Sequence, residues 1–328
     1  MARETPRERF RIGADENGLG PRLGPMIVTA VLAEVTPEGH AVASKKPRGK
    51  LGDRLGDSKA LVAHGDVALG EAWTRALVER GCGRPEASRS PANVDDLVHA
   101  VADETRDVLR AACPPGGVDH CWSGGDDALS ADASLVATLH ADLDKLGSKG
   151  VRIAAVRSRI VCVKRLNDAL TLGKSRFTVD LHAMEELILG LREQAGAEVH
   201  AICGKVGGFG KYEGAFGPLS GRLCSVVEER RASSRYYFPG VGELAFVMDA
   251  DDSDLLVSLA SLVGKYLREV LMAKIVRHYR SSGLDVPEAS GYHDPVTARF
   301  VEATSLVRAK QAFPAECFER RSLGKGVE

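Results

Sequence analysis

Two adjacent carboxylates, Asp15 and Glu16, stand in the stretch DENGLGPRLGP, between FRIG and MIVTAVLAE, both of which read as buried strands. Acids placed where a strand runs into a loop of three glycines and two prolines admit three readings. A glycine loop can cradle phosphate, but Gly18, Gly20 and Gly24 are off the dinucleotide spacing. Pro21 also removes one amide, and two carboxylates repel phosphate unless a cation intervenes. An Asx-type turn with solvated acids is the plain structural reading. The third is a metal site, in which strand-end carboxylates share divalent cations with acids from distant segments. That reading needs partners, and the strongest candidate is Asp251 in DADDSDLLVSLAS, just before a segment of helical periodicity whose N-terminus favours negative charge. Helix capping accounts for one of Asp249, Asp251, Asp252 and Asp254, not for all four.

Periodicity gives the elements that must position these acids. After the two strands, TPEGHAVASKKPRGKLGDRLGDSKAL is polar, Gly-rich and locally basic and reads as a long surface loop. GDVALGEAWTRALVER reads as a helix, CGRPEASRSPAN as a break, and VDDLVHAVADETRDVLRAA as a second helix. The break, near residues 82–93, reads as an insertion. GVRIAAVRSRIVCV has β-branched strand character, DLHAMEELILGLREQAG is an amphipathic helix closed by Gly196, and AEVHAIC is the next strand. An irregular Gly-rich segment follows. AFVMDADDSD then gives a short strand and an acidic link into the longest helix, whose Leu255, Leu259, Leu262, Tyr266 and Val270 keep helical spacing. With no internal repeat, the expectation is a mixed α/β core over residues 1–280, insertions included, and a helical or loop extension over 281–328 packed on it.

Composition bounds the class. A 328-residue chain with 44% hydrophobic content can bury a large core, and neither disorder nor a fibrous class fits. Lys+Arg 44 against Asp+Glu 45 leaves a formal charge of -1, so any polyanion-binding surface must be a local patch. The seven cysteines show no CxxC spacing and read as reduced and packed. The stretch MARETPRERF lacks an apolar signal core, and no apolar run approaches the roughly 20 residues that span a bilayer, so a cytoplasmic protein is expected.

The block IGADENGLGPRLGPMIV resembles the opening of the type 2 ribonuclease H family, in particular its archaeal and eukaryotic catalytic-subunit branch. Four further blocks are similar and follow in the same order: GDSKAL, CGKVGGFGKY, ADDSDLLVSLASLVGKYLRE and SGYHDPVT. The resemblance implies a ribonuclease H-like α/β fold, a central mixed sheet flanked by helices, with a helical C-terminal extension. It implies an endonuclease acting on RNA/DNA hybrids or on ribonucleotides embedded in DNA, with Mg2+ or Mn2+ bound by carboxylates. Carried over by position, Asp15 and Glu16 match the first two acids and Asp251 the last. Lys59 would meet a backbone phosphate, Tyr292 would pack on the sugar beside the scissile ribonucleotide, and Gly18, Leu19 and Gly20 would approach a 2′-hydroxyl.

The chain departs from the family twice. The family's Gly-Arg-Gly is here Gly18-Leu19-Gly20, which removes a cation from the substrate groove. At the strand end where the family has a third acid, this chain has Gly204 on one alignment and Cys203 on the other. Asp249, Asp252, Glu213 and Asp180 are the acids that could stand in. The expectation is metal-dependent phosphodiester hydrolysis with an incomplete carboxylate set; the alternative is a degenerate homologue that binds the hybrid without cutting it. Two geometric expectations follow. Asp15, Glu16 and Asp251 should converge, and Lys59, the loop Lys45 to Lys50 and Tyr292 should line one positive surface.

Overall fold

Seven apolar or β-branched runs form one sheet: β1 (Phe10–Asn17), β2 (Met26–Val35), β3 (Val151–Val161), β4 (Val199–Gly204), β5 (Ser225–Glu229), β6 (Ser233–Phe238) and β7 (Gly242–Val247). The computed structural model describes residues 9–114, 120–122, 127–207 and 210–321. Residues 1–8 of the N-terminal stretch, and Gly208 and Phe209 of the CGKVGGFGKY block, lie outside them. The strand order is β3-β2-β1-β4-β7-β6-β5. β1, β2 and β3 pair antiparallel, β4 lies parallel to β1 and β7 parallel to β4, and β6 and β5 complete the edge antiparallel. β2 is buried along nearly its whole length, as its unbroken apolar run requires in a sheet covered on both faces.

Helices cover both faces. α3 (Ala68–Glu79), α4 (Val94–Val101), α6 (Ala133–Ser148) and α9 (Leu255–Ser281) close one core, while α7 (Val163–Thr171) and α8 (Arg176–Ala195) close the other. The short α1 (Pro37–Ala43), α2 (Ser58–Leu61) and α5 (Arg106–Arg110) join the first layer's periphery. α10 (Pro295–Ala303), α11 (Ser305–Lys310) and α12 (Ala315–Phe318) follow α9, and a third cluster joins Phe300 and Phe318 to Met272, Ile275 and Tyr279 of α9 and to Leu23. This is a mixed α/β architecture, a central sheet flanked by helices, with a helical C-terminal part. Among the described residues no helix is long and apolar enough to cross a membrane.

Three local expectations are corrected. The stretch read as one long loop contains α1 and α2: Thr36 accepts from Gly39 N and Pro37 opens the helix, a start signal hidden by the polarity of the segment. The helix expected over residues 94–112 is two helices. Ala102 leaves α4 in an extended conformation, its neighbour Asp103 donates to Ser158 O of β3 at 2.8 Å, and Thr105 caps α5. The Gly-rich segment expected to be irregular carries the β5–β6 hairpin, paired at residues such as Tyr236 and Tyr237. α6 and α7 were not singled out from the sequence at all.

What positions the site is the seat of α9 on β1. A Cβ on Gly13 would lie 2.3 Å from Leu256 C and 2.4 Å from Val257 N, so only glycine permits this approach. Further along, a Cβ on Gly264 would lie 2.7 Å from Asn17 Nδ2, which instead donates to Ser261 O at 3.1 Å. Asp254 caps α9 through Leu256 N and Val257 N and pairs with buried Arg11 at 2.5 Å. Gly13→Ala should therefore destabilise the chain by about 1–3 kcal/mol, the usual cost of overpacking. Urea denaturation checks this, and a midpoint equal to that of the natural chain would contradict the close seat.

Candidate functional site

The C-terminal end of β1 sends Asp15 and Glu16 to opposite sides of the strand. Asp15 faces α9, where the Ser261 hydroxyl donates to it. Ser261 also meets Ser58 Oγ at 2.9 Å, which ties α2, and with it Lys59, to the same spot. Both acids keep a minor solvent-facing fraction, but protein surrounds most of each carboxyl. Burial is the main reason Asp15 is pushed up to about 7; the nearby Asp251 charge adds to this, while Ser261 and Lys59 oppose it. Glu16 is also raised, by burial and then by Asp15, against the pull of Leu19 N–H, Arg320 and Arg268. Its Oε1 is buried without a hydrogen-bond partner.

The four aspartates before α9 divide their work. Asp254 is the cap, Asp252 pairs with Lys46 at 2.5 Å, and Asp249 is exposed in a left-handed conformation at φ 51°. Asp251, in the 3-10 turn Ala250–Asp252, is the half-buried one whose charge reaches Asp15. Burial first, then Asp252 and Asp57, raise its pKa, and Lys59 lowers it. The structure thus brings Asp15, Asp251 and Lys59 together. Lys46 stands on the same side, since Asp251 and Asp57 act on it too, while Lys45, Arg48 and Lys50 are exposed.

The glycine loop lies on the other side of Asp15. Gly18, at φ 94°, is crowded by Arg268, where a Cβ would come within 2.9 Å, while Gly20 faces open space. Arg320, only 4% exposed, donates to Gly18 O at 2.5 Å, to Leu19 O at 3.3 Å and to Gly24 O at 2.8 Å. Burial, then the Arg176 and Arg268 charges, pushes Arg320 down to about 9. So although position 19 carries no cation, two guanidinium groups stand beneath its loop. Tyr292, 41% exposed, lies over Arg268 at 4.4 Å and near Lys265 at 5.8 Å. The adjoining Gly291 O accepts from Arg22 N and Leu23 N, which fastens this segment to the glycine loop.

At the position of the absent acid, a Cβ on Gly204 would lie 2.4 Å from Asp15 Oδ1. Cys203 is fully buried in the core with Leu181 and Met184, and burial pushes its thiol well up. Gly204 is therefore the residue that borders the Asp15 carboxylate. Asp15, Glu16 and Asp251 do not by themselves form a three-donor cage: among the described residues, no group of three His, Cys, Asp or Glu side chains is arranged to hold a metal ion. Of the possible stand-in acids, Glu213 and Asp249 are exposed and Asp252 is taken by Lys46. Asp180 on α8 is buried, and the charges acting on it are those of Glu16 and Asp15. Arg268 and Arg320 went unread in the sequence. The one available signal was a basic residue inside the buried stripe of α9.

No family model matches the chain, and no curated protein matches it. Among solved structures it is similar to Bst-RNase HIII in complex with Mn2+, at 12% identity and a TM-score of 0.43, over 95% of this chain and 66% of that one. It is also similar to RNase HII of Archaeoglobus fulgidus in its complex with PCNA, at 16% identity and a TM-score of 0.41, over 97% and 98% of the two chains. A third is ribonuclease H2 from Pyrococcus horikoshii OT3, at 12% identity and a TM-score of 0.35, over 94% and 92%. The chain spans just under two thirds of the length of the ribonuclease HIII structure.

The raised acids set a pH dependence. An Asp15 that titrates at 3.8 when unfolded and at about 7 when folded binds more protons in the folded state between those values. Stability without divalent cation therefore falls as pH rises through that window. Urea denaturation in chelator at about pH 5 and about pH 8 should show this fall, and Asp15→Asn should lessen it. Equal falls in the two chains would remove Asp15 as its source.

Proposed function

We propose that this chain is a divergent type 2 ribonuclease H-like endonuclease, acting on RNA/DNA hybrids or on ribonucleotides embedded in DNA with the help of Mg2+ or Mn2+. The observation that carries the reading is the meeting of Asp15, Asp251 and Lys59, from three distant parts of the chain, at the open end of β1. They belong to three of the five blocks on which the family resemblance rests. A divalent cation at Asp15, Glu16 and Asp251 would stabilise charge on the attacking and leaving oxygens of a phosphodiester. The fit is that of a site short of ligands: an orphaned Glu16 oxygen and neighbouring acids raised chiefly by burial would accept a cation. Mg2+ commonly takes only one or two carboxylates, with water and substrate phosphate completing its shell.

The remaining residues have direct tasks. Lys59 holds a backbone phosphate, and the Gly18–Gly20 loop, with its Cβ-free approach, offers amides to a 2′-hydroxyl. Tyr292, backed by Arg268, presents its ring to the sugar. Residues 281–328 act as an extension that serves the site through Tyr292 and Arg320. A second reading, a homologue that binds the hybrid without cutting it, is favoured by Gly204, which leaves no carboxylate beside Asp15 on β4.

A cleavage assay with a hybrid duplex and with a single embedded ribonucleotide separates the two. Cutting that needs Mg2+ or Mn2+ and falls more than about 100-fold in Asp15→Asn supports the enzyme. Binding without cutting, with activity gained in Gly204→Asp, supports the binder. In either case Lys59→Ala should weaken hybrid binding and reduce the slope of log affinity against log salt by about 1. An unchanged slope would free Lys59 from phosphate contact.

A further inference from the structure

Arg320 lies buried beneath the glycine loop, and among the described residues its side-chain hydrogen bonds all go to backbone carbonyls. Nε and Nη2 fork onto Gly24 O at 3.0 and 2.8 Å, while Nη1 reaches Gly18 O at 2.5 Å and Leu19 O at 3.3 Å. It thus grips the loop at two glycines in left-handed conformation, Gly18 at φ 94° and Gly24 at φ 78°. A buried cation held by carbonyls is costly, and an apolar side chain would fill the space without that cost. The consequence lies in the peptide planes. A trans peptide points its carbonyl and its N–H in opposite directions, so drawing Gly18 O and Leu19 O toward Arg320 turns the Leu19 and Gly20 amides away from it. The Leu19 N–H faces the Glu16 carboxyl. The Gly20 N–H donates to no backbone carbonyl among the described residues, and Gly20 is exposed, with open space where a Cβ would stand.

We propose that Arg320 is a positioning residue for ribose recognition: by gripping Gly18, Leu19 and Gly24 from beneath, it holds the Gly20 N–H outward, toward the 2′-hydroxyl of a bound ribonucleotide. This rests on the reading of the glycine loop given above and adds the residue that shapes it. Arg320 is itself held from two sides. On one, Glu319 bridges to Leu23 and pairs with Arg22 at 2.5 Å, and Arg320 N donates to Arg22 O at 3.0 Å. On the other, buried Asn167 of α7 donates to Glu316 O and Glu319 O, both at 2.9 Å, and accepts from Arg321 N at 2.8 Å. The planar guanidinium fork spans Gly18 O and Gly24 O together, which a lysine, carrying the same charge on one nitrogen, does not.

The test is the affinity of the full chain, in chelator so that metal-dependent cutting stops, for a DNA duplex carrying one ribonucleotide and for the same duplex made wholly of DNA. The natural chain should prefer the first, and Arg320→Met should reduce that preference about 3- to 10-fold, the worth of one hydrogen bond. A merely structural Arg320 would act otherwise. Arg320→Met would then melt at a lower temperature and lose affinity for both duplexes alike, with the preference kept, and the proposal would be overturned. Should Arg320→Met not fold, Arg320→Lys is read the same way, since it keeps the charge but lacks the fork. The natural chain keeps the two readings apart. If it binds neither duplex, the nuclease reading fails and the role of Arg320 falls with it. If it binds both duplexes equally, or if Arg320→Met prefers the ribonucleotide as strongly as the natural chain does, duplex binding stands and the role of Arg320 alone is overturned.

Discussion

Everything at the open end of the sheet depends on how closely α9 lies on β1. The absence of a Cβ at Gly13 and at Gly264 lets the helix backbone approach the strand, and the buried Arg11–Asp254 pair fastens its first turn. Removing one partner of such a pair leaves an uncompensated buried charge, so the seat is held by a strong constraint. From it follow the Ser261 hydroxyl on Asp15, the position of the Asp251 turn, and the docking of α2 through Ser58. Two turns further on, Arg268 reaches from the same helix under Gly18 and Tyr292. One helix thus connects the acids, the basic α2 and the glycine loop.

The contrast between two groups of acids on this scaffold separates structural from functional charge. Glu269 is also buried, and burial alone would raise it, yet His64, Arg268 and Lys265 hold it down to about 2. It is an acid fully answered by its neighbours. Asp15, Glu16 and Asp180 gather with charges of their own sign, and all three are raised. Unanswered charge of this kind works against folding and is characteristic of places where a protein handles a proton, a cation or a substrate.

The C-terminal part contributes beyond stability. α12 and the residues after it return to the start of the chain, where Arg320 binds three carbonyl oxygens of the glycine loop. Leu23 packs in the same cluster as Phe300 and Phe318. The loop that follows the two acids is therefore shaped by residues nearly the whole chain length away. This is why a leucine at position 19 does not leave the loop without positive charge.

By itself the sequence determined the strand bearing Asp15 and Glu16, the acidic link at Asp251, the long helix after it and the α/β class. Each of these is a local pattern: apolar periodicity, a cap, or an acid at a strand end. It misread the helix over residues 94–112, because the break at Ala102 is made by a bridge to Ser158, a contact invisible to local propensity. It could not choose between Cys203 and Gly204, since a shift of one residue in a strand sends the side chain to the other face. Only tertiary structure set Gly204 beside Asp15, turned Asp180 inward and carried Arg320 to the glycine loop. It likewise brought Cys113, Cys121, Cys162 and Cys317 to the wall of one small cavity, although no spacing in the chain announces them. The reason is common to all of these cases: local preferences specify where elements begin and end, whereas the neighbours a buried side chain meets are decided by how those elements pack.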